Sequence, residues 1–172
     1  MNTTQSHDNT IKSIRPSMLI GFLLMAGMMA TALFFQYVME LEPCPLCIAQ
    51  RVVVIGMGII FLIAFLHGPT SNWGRRFYGF LLTLASIAGL VVAGRHTWLQ
   101  HLPEDRVPEC GPGLQFWMDH LPATDVIQKV FQGSGECSEV VFSFLGLSIP
   151  EWSLLVFALL FLYSLKLLIK AR

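Results

Sequence analysis

Charge is what this sequence has least of. Asp, Glu, Lys and Arg make up 13% of its 172 residues, where a soluble domain carries about a quarter. The net charge is zero, so the basic excess that attracts nucleic acid is missing, and no nucleic-acid partner is expected. The chain has no internal repeat, no low-complexity tract and no nucleotide-binding glycine pattern. Nothing therefore points to a solenoid or a dinucleotide-binding fold. Cysteine is scarce too: there are four, and none sits in the middle of an apolar run, where it would pass as a small apolar filler.

What is abundant is apolar sequence, at 54% of the chain. It is gathered into four runs, 18–38, 48–66, 77–92 and 154–169. Each approaches the ~17 to 25 residues that a spanning helix needs, with the third and fourth at the short end. Helices buried in a soluble protein would keep a polar face, and these runs have almost none. The first run follows Lys12 and Arg15 as a secretory signal would, but it is long for one and no small-x-small cleavage site follows it before Pro43, so it is read as a permanent helix. The expected fold is all-α: a single membrane domain over 1–172, a bundle of four transmembrane helices.

Four spans put both termini on one side, together with the short connection 67–76. The loops 39–47 and 93–153 then lie on the other. Lys12, Arg15, Arg75, Arg76, Lys166, Lys170 and Arg172 fall on the terminal side, whereas of the eleven acidic residues only Asp8 does. An excess of Lys and Arg marks the cytoplasmic face, so the N- and C-termini are expected in the cytoplasm and the two loops outside. All four cysteines, Cys44, Cys47, Cys110 and Cys137, lie in or beside those outward loops. An even number of cysteines confined there suggests an oxidising compartment and two disulfides. In a bacterium that compartment would be the periplasm.

The segment Pro43-Cys44-Pro45-Leu46-Cys47 stands where the second helix should begin. Pro45 suits the first helical position, because its missing N–H would be unpaired there anyway. Cys44 is then at the cap and Cys47 in the first turn, where unpaired N–H groups and the positive end of the helix dipole favour a thiolate. Arg51, four residues after Cys47, shares its helical face. Two readings stand side by side: Arg51 snorkels back to the interface, or its guanidinium stabilises the Cys47 thiolate or an acceptor oxygen that gains charge. Cys110 and Cys137 lie in the long loop, in a stretch rich in Pro, Gly and acidic residues. A static staple is one reading of this pair, and a four-cysteine zinc site another, although neither residue has the close partner that structural zinc usually takes. Arg95-His96, at the outward end of the third helix, can face the same region. The apolar patch Leu114, Phe116, Trp117, Met118 and Leu121 either anchors the loop on the membrane surface or packs beneath it.

These residues resemble a known family, the disulfide bond formation protein B (DsbB) family. The resemblance covers nearly the whole chain: Phe35-Gln36; Cys44-x-x-Cys47 followed by Arg51; His96-Thr97 with Leu99-Gln100; Gly133-Ser134-Gly135-Glu136-Cys137; and Phe144-Leu145-Gly146-Leu147 before Pro150-x-Trp152. It implies a quinone-dependent protein thiol-disulfide oxidoreductase of the bacterial inner membrane. Such a protein reoxidises a periplasmic DsbA-like thiol oxidoreductase and passes the electrons to the membrane quinone pool, ubiquinone or menaquinone. Carried over by position, Cys110 resembles the cysteine that takes up the soluble partner, and Cys137 the one that exchanges with Cys44. Cys47 resembles the sulfur that contacts quinone, with Arg51, and His96 as a further candidate, on the quinone side. The implied redox-active pairs are Cys44 with Cys47 and Cys110 with Cys137. Two other readings remain open: an oxidase of the same architecture serving a different oxidoreductase, and a non-catalytic scaffold with static disulfides.

Overall fold

The computed structural model describes residues 3–111 and 114–170. Pro112 and Gly113, beside Cys110, lie outside the described residues, as do Arg172 and the side chains of Asp8, Lys12 and Lys170. Four long helices carry the apolar runs: α1 (Thr3–Tyr37), α2 (Pro45–His67), α3 (Asn72–Gln100) and, after the long loop, α6 (Ile149–Lys170). The segments apolar enough to cross a membrane are Ile14–Tyr37, Pro45–His67, Asn72–Gln100 and Ile149–Ile169. The chain is a multi-pass membrane protein with the fold expected of it.

Helix α3 is longer than its apolar run. Hydropathy falls at Gly94, Arg95 and His96, but nothing there breaks a helix, so the backbone continues to Gln100. The last two turns carry Arg95 and His96 beyond the apolar stretch into the loop region. Helix α2 begins as its sequence dictates, with Cys44 extended at the cap (φ −64°, ψ 164°), Pro45 opening the first turn, and Cys47 N–H donating to Cys44 Sγ at 3.4 Å. It ends on Gly68 in the left-handed conformation (φ 55°), whose N–H bonds Ala64 O.

The helices pack as α1 on α2, α2 on α3 and α3 on α6. Small residues set the close approaches. A Cβ on Gly21 would stand 2.5 Å from Phe61, and one on Gly89 2.5 Å from Phe157, so each ring lies directly on a neighbouring backbone. Small side chains at such contacts replace the hydrophobic drive that is weak between helices in lipid. Thr83 Oγ1 donates to Ser164 Oγ at 2.9 Å across α3 and α6, and Ser86 and Ser164 donate to carbonyls of their own helices. Every one of these buried hydroxyls is therefore satisfied. The opposite surface is apolar: Val52, Ile55, Ile59, Leu84, Val91, Leu155 and Leu159 are all exposed. A collar of that kind needs lipid.

The long loop is itself structured. It contains α4 (Leu114–His120), α5 (Ala123–Gln132), two 3₁₀ turns (Glu104–Arg106 and Gly135–Cys137), and a two-residue hairpin of β1 (Ser143–Phe144) and β2 (Leu147–Ser148). The apolar patch divides: Trp117 is buried against Gly111, whereas Phe116 and Met118 face out. Arg95 holds α5, its Nε and Nη2 donating to Phe131 O and Gln132 O at 3.0 and 2.9 Å. Those are last-turn carbonyls, which carry the negative end of the helix.

Candidate redox site

The fold brings three of the four cysteines and His96 to one place. Cys44 at the cap of α2, His96 on α3 and Cys137 at the end of its 3₁₀ turn are all buried, and their sulfur and ring nitrogen atoms lie within 4.8 Å of one another. Cys47 Sγ accepts a hydrogen bond from the Cys44 thiol at 3.2 Å. All four cysteines are thiols, with no sulfur–sulfur bond among them.

Cys137 reaches this position because Gly133-Ser134-Gly135 folds tightly against the top of the bundle. Gly133 adopts φ 78° and its N–H closes α5, bonding Lys129 O and Val130 O. Ser134 and Gly135 are buried, and Cys137 N–H donates to Ser134 O at 2.9 Å. Cys110 is exposed, but its backbone runs alongside this turn. Gly135 N–H donates to Glu109 O at 3.4 Å, and a Cβ on Gly135 would stand 2.9 Å from Cys110 Sγ. Only glycine lets the Cys110 sulfur approach so closely.

Burial and mutual hydrogen bonding decide how these thiols ionise. For Cys44, a hydrogen bond with Cys137 works to lower the pKa; it is outweighed by the hydrogen bond to Cys47, by burial and by repulsion from Cys47, and the thiol is pushed up to about 12. Cys137 is raised further still, first by its hydrogen bond with Cys44 and then by burial. In this reduced form the donors run in one direction, from Cys137 to Cys44 to Cys47. The sulfur of Cys47 is the acceptor at the end of the row.

Beyond Cys47 lies a cavity of about 510 Å³ between α1, α2 and the start of α6. Met28, Phe35, Val54, Phe142 and Trp152 line it, and its polar groups come from Cys47, Gln50 and Arg51 together with Thr31, Glu42 and Ser153. Cys47 and Arg51 thus share one face, as their spacing required. Arg51 also binds α1, donating through Nη1 to Gln36 Oε1 and through Nη2 to Ala32 O at 3.1 Å. It is half-buried in a helix-to-helix tie, a role that spacing alone did not suggest. His96 is not among the residues lining this cavity. Its Nε2 faces Cys44 Sγ at 3.7 Å and its Nδ1 faces Gln50 Nε2 at 3.2 Å, so both ring nitrogens are engaged on the sulfur side.

A second, open cleft of about 790 Å³ lies between the first loop and the segment after Cys110, with Glu40, Glu42, Leu114, Met118 and Glu136 among its walls. Sequence reasoning missed Gln36 and Gln50 as site residues. The signal for Gln50 was present: it is a polar residue one turn into an apolar helix, and buried polar groups need partners. Two motifs of the resemblance acquire causes here. Gln100 accepts from Ser148 Oγ at 2.7 Å, and Trp152 Nε1 donates to Phe144 O at 3.0 Å, so both fasten the end of the long loop to the bundle.

Comparison with known proteins identifies the family. A family model described as disulfide bond formation protein DsbB matches residues 14–167. A disulfide bond formation protein B from Chromohalobacter salexigens is 52% identical over 156 residues, covering 91% of both chains. One from Nitrosococcus oceani is 51% identical, covering 89% of this chain and 90% of its own, and one from Acinetobacter baumannii is 53% identical, covering 84% and 86%. With a match spanning all four membrane helices and both cysteine loops, the chain belongs to the disulfide bond formation protein B family.

Proposed function

We propose that this protein reoxidises a soluble DsbA-like thiol oxidoreductase on the periplasmic side of the bacterial inner membrane and delivers the electrons to membrane quinone, ubiquinone or menaquinone. The observation that carries this reading is the row of sulfurs. It begins at exposed Cys110, passes the buried Cys137 and Cys44, and ends at Cys47 on the wall of an apolar cavity that also contains a guanidinium.

The exchange balances in thiols and disulfides. A thiolate of the reduced partner attacks Cys110 of a Cys110–Cys137 disulfide and expels Cys137, and the partner's second thiol then completes its own disulfide and leaves Cys110 reduced. Cys137 attacks Cys44 of a Cys44–Cys47 disulfide and releases Cys47 as the thiolate. Cys110 then attacks Cys137, restores the loop disulfide and frees Cys44. The net change is two electrons moved from the partner to the Cys44–Cys47 pair. Quinone bound in the cavity supplies the two-electron sink that returns this pair to its disulfide. The apolar walls suit a lipid-soluble ring, and Arg51 offers N–H donors to an oxygen that gains charge. Soluble oxidants of the DsbA kind have an established potential of about −120 mV, so only a stronger acceptor drains them usefully.

His96 has a place in the same scheme. With the Gln50 amide N–H donating to Nδ1, the ring carries its proton on Nε2 and directs it at Cys44 Sγ. That proton stabilises Cys44 when it leaves as a thiolate. The charge pattern described above supports an outward position for the cysteine loops.

The decisive experiment traps the first step. With the partner's second active-site cysteine changed to Ser, its remaining thiolate opens the Cys110–Cys137 disulfide and cannot leave by closing a disulfide of its own, and a mixed disulfide through Cys110 is expected on a non-reducing gel, confirmed by peptide mapping. A crosslink through Cys44 or Cys47 instead would overturn the order of transfer. A static scaffold would form no such species, and it would retain its function in Cys47→Ser.

A further inference from the structure

We propose that the fully reduced protein holds one soft divalent cation, with Zn²⁺ as the reference ion, on Cys44 Sγ, Cys137 Sγ and His96 Nε2, with Cys47 Sγ closing the fourth corner. The three core atoms come from three separate elements, the cap of α2, the body of α3 and the loop turn, and still lie within 4.8 Å of one another. Zinc takes thiolates at about 2.3 Å and imidazole at about 2.0 Å in a tetrahedron, which places neighbouring S and N ligands about 3.5 Å apart and S and S about 3.8 Å apart. Cys44 Sγ and His96 Nε2 stand at 3.7 Å and Cys44 Sγ and Cys47 Sγ at 3.2 Å. Both edges are near the required lengths, contraction of the two Cys137 edges, each within 4.8 Å, by up to about 1.3 Å closes the three-ligand core, and Cys47 Sγ turns in from beside Cys44 to take the fourth corner. Cys44 and Cys47 also have the two-residue spacing common in zinc half-sites.

The surroundings suit a metal centre as well. Histidine ligands are typically oriented by a partner on their other nitrogen, and His96 Nδ1 already faces the Gln50 amide at 3.2 Å. Turning that amide end for end presents Oε1 to an Nδ1–H, and the Nε2 lone pair is then directed at the cluster. All three core ligands are shielded from solvent, and Cys110 is not part of the cluster. The thiols lose their protons to solvent as the cation binds. A disulfide leaves no thiolates to donate, so the cation binds the reduced form and is expelled on oxidation. A protein carrying it is withheld from sulfur exchange. That consequence rests on the electron route proposed above; the binding does not.

The test uses the full-length protein in detergent, reduced under anaerobic conditions and titrated with Zn²⁺ against a chromophoric chelator. One Zn²⁺ per chain is expected for the reduced protein and none for the oxidised one. Cys44→Ser, Cys47→Ser, Cys137→Ser and His96→Ala are each expected to weaken binding at least tenfold, and Cys110→Ser by less than twofold. Adventitious capture by the exposed His101 and His120 would survive all four substitutions and appear equally in the oxidised protein. Either result overturns the proposal. Should a variant fail to fold, Cd²⁺ on the reduced wild-type protein decides: a near-ultraviolet sulfur-to-cadmium band of three-thiolate intensity supports the site, and no band refutes it. Failure here with normal electron transfer in metal-free buffer would leave the oxidase reading untouched.

Discussion

Replacing Arg51 by Ala tests the cavity most directly. The guanidinium is half-buried, donates to Gln36 Oε1 and to Ala32 O on α1, and forms part of the cavity wall beside Cys47. Five N–H donors exceed those two bonds, so donors remain for an oxygen in the cavity. A hydrogen bond from a charged group contributes about 1.5 to 3 kcal/mol. At 1.36 kcal/mol per factor of ten, its loss lowers kcat/KM for quinone by about 10- to 160-fold. Removing the helix tie is a separate effect, and Gln36→Ala isolates it. That change keeps the charge and deletes one tie, and its cost of about 1.5 to 3 kcal/mol is expected in folding stability and not in kcat/KM for quinone. Arg51→Lys is expected to recover only part of the loss, since an ammonium lacks the planar fork. The assay follows quinone absorbance with purified protein, reduced partner oxidoreductase and a quinone series. Unchanged KM and kcat in Arg51→Ala would refute the reasoning and leave Arg51 as a structural tie alone.

Three further outcomes are expected. Protein isolated from aerobic membranes and quenched in acid should show Cys44–Cys47 and Cys110–Cys137 disulfides on mass mapping; four free thiols would contradict this. In the fully reduced protein, Cys44 is raised to about 12 and Cys137 is raised as well, so at neutral pH both persist as thiols. Their alkylation rates, read by mass spectrometry, should climb about tenfold per pH unit from 7 to 9, and a flat profile would show that the two sulfurs are not coupled as described. Gly135→Ala places a Cβ 2.9 Å from both Cys110 Sγ and Pro108 O. Such overpacking costs about 1 to 3 kcal/mol and should slow the Cys110 to Cys137 step in stopped-flow exchange, with little effect on quinone reduction by dithiothreitol-treated protein.

The four helices were legible because each is an almost uninterrupted apolar run, and lipid rewards that pattern without requiring any particular partner. The extent of α3 was not, since hydropathy ends at Val92 while helical backbone needs only the absence of a breaker. Helix α5 was hidden for a similar reason: it lies between Pro122 and Gly133, and its stability comes partly from Arg95, thirty-six positions before Phe131. At the site, Cys44, Cys47 and Arg51 could be placed from local spacing because one helix turn fixes them. The meeting of Cys137 with Cys44 and His96 could not, because it depends on how a long loop folds back over the bundle. Nothing in the spacing of these residues encodes it, and only the resemblance pointed to that exchange.

The close packing of α3 on α6, with Phe157 against Gly89 and Thr83 bonded to Ser164, has a kinetic meaning. These two helices are the feet of the long loop, and they stand side by side. Between Cys137 and the first residue of α6 there are eleven residues, 138 to 148. Even if that segment came entirely loose, a flexible tether of this length has a mean span of about 18 Å. Cys137 is therefore presented to Cys44 at an effective concentration on the order of millimolar, whatever the loop is doing at its Cys110 end. A soluble thiol at micromolar concentration competes poorly with such a neighbour. The membrane helices thus act as a leash: one cysteine can wander out to meet a protein, while its partner cannot travel far enough to miss its next collision.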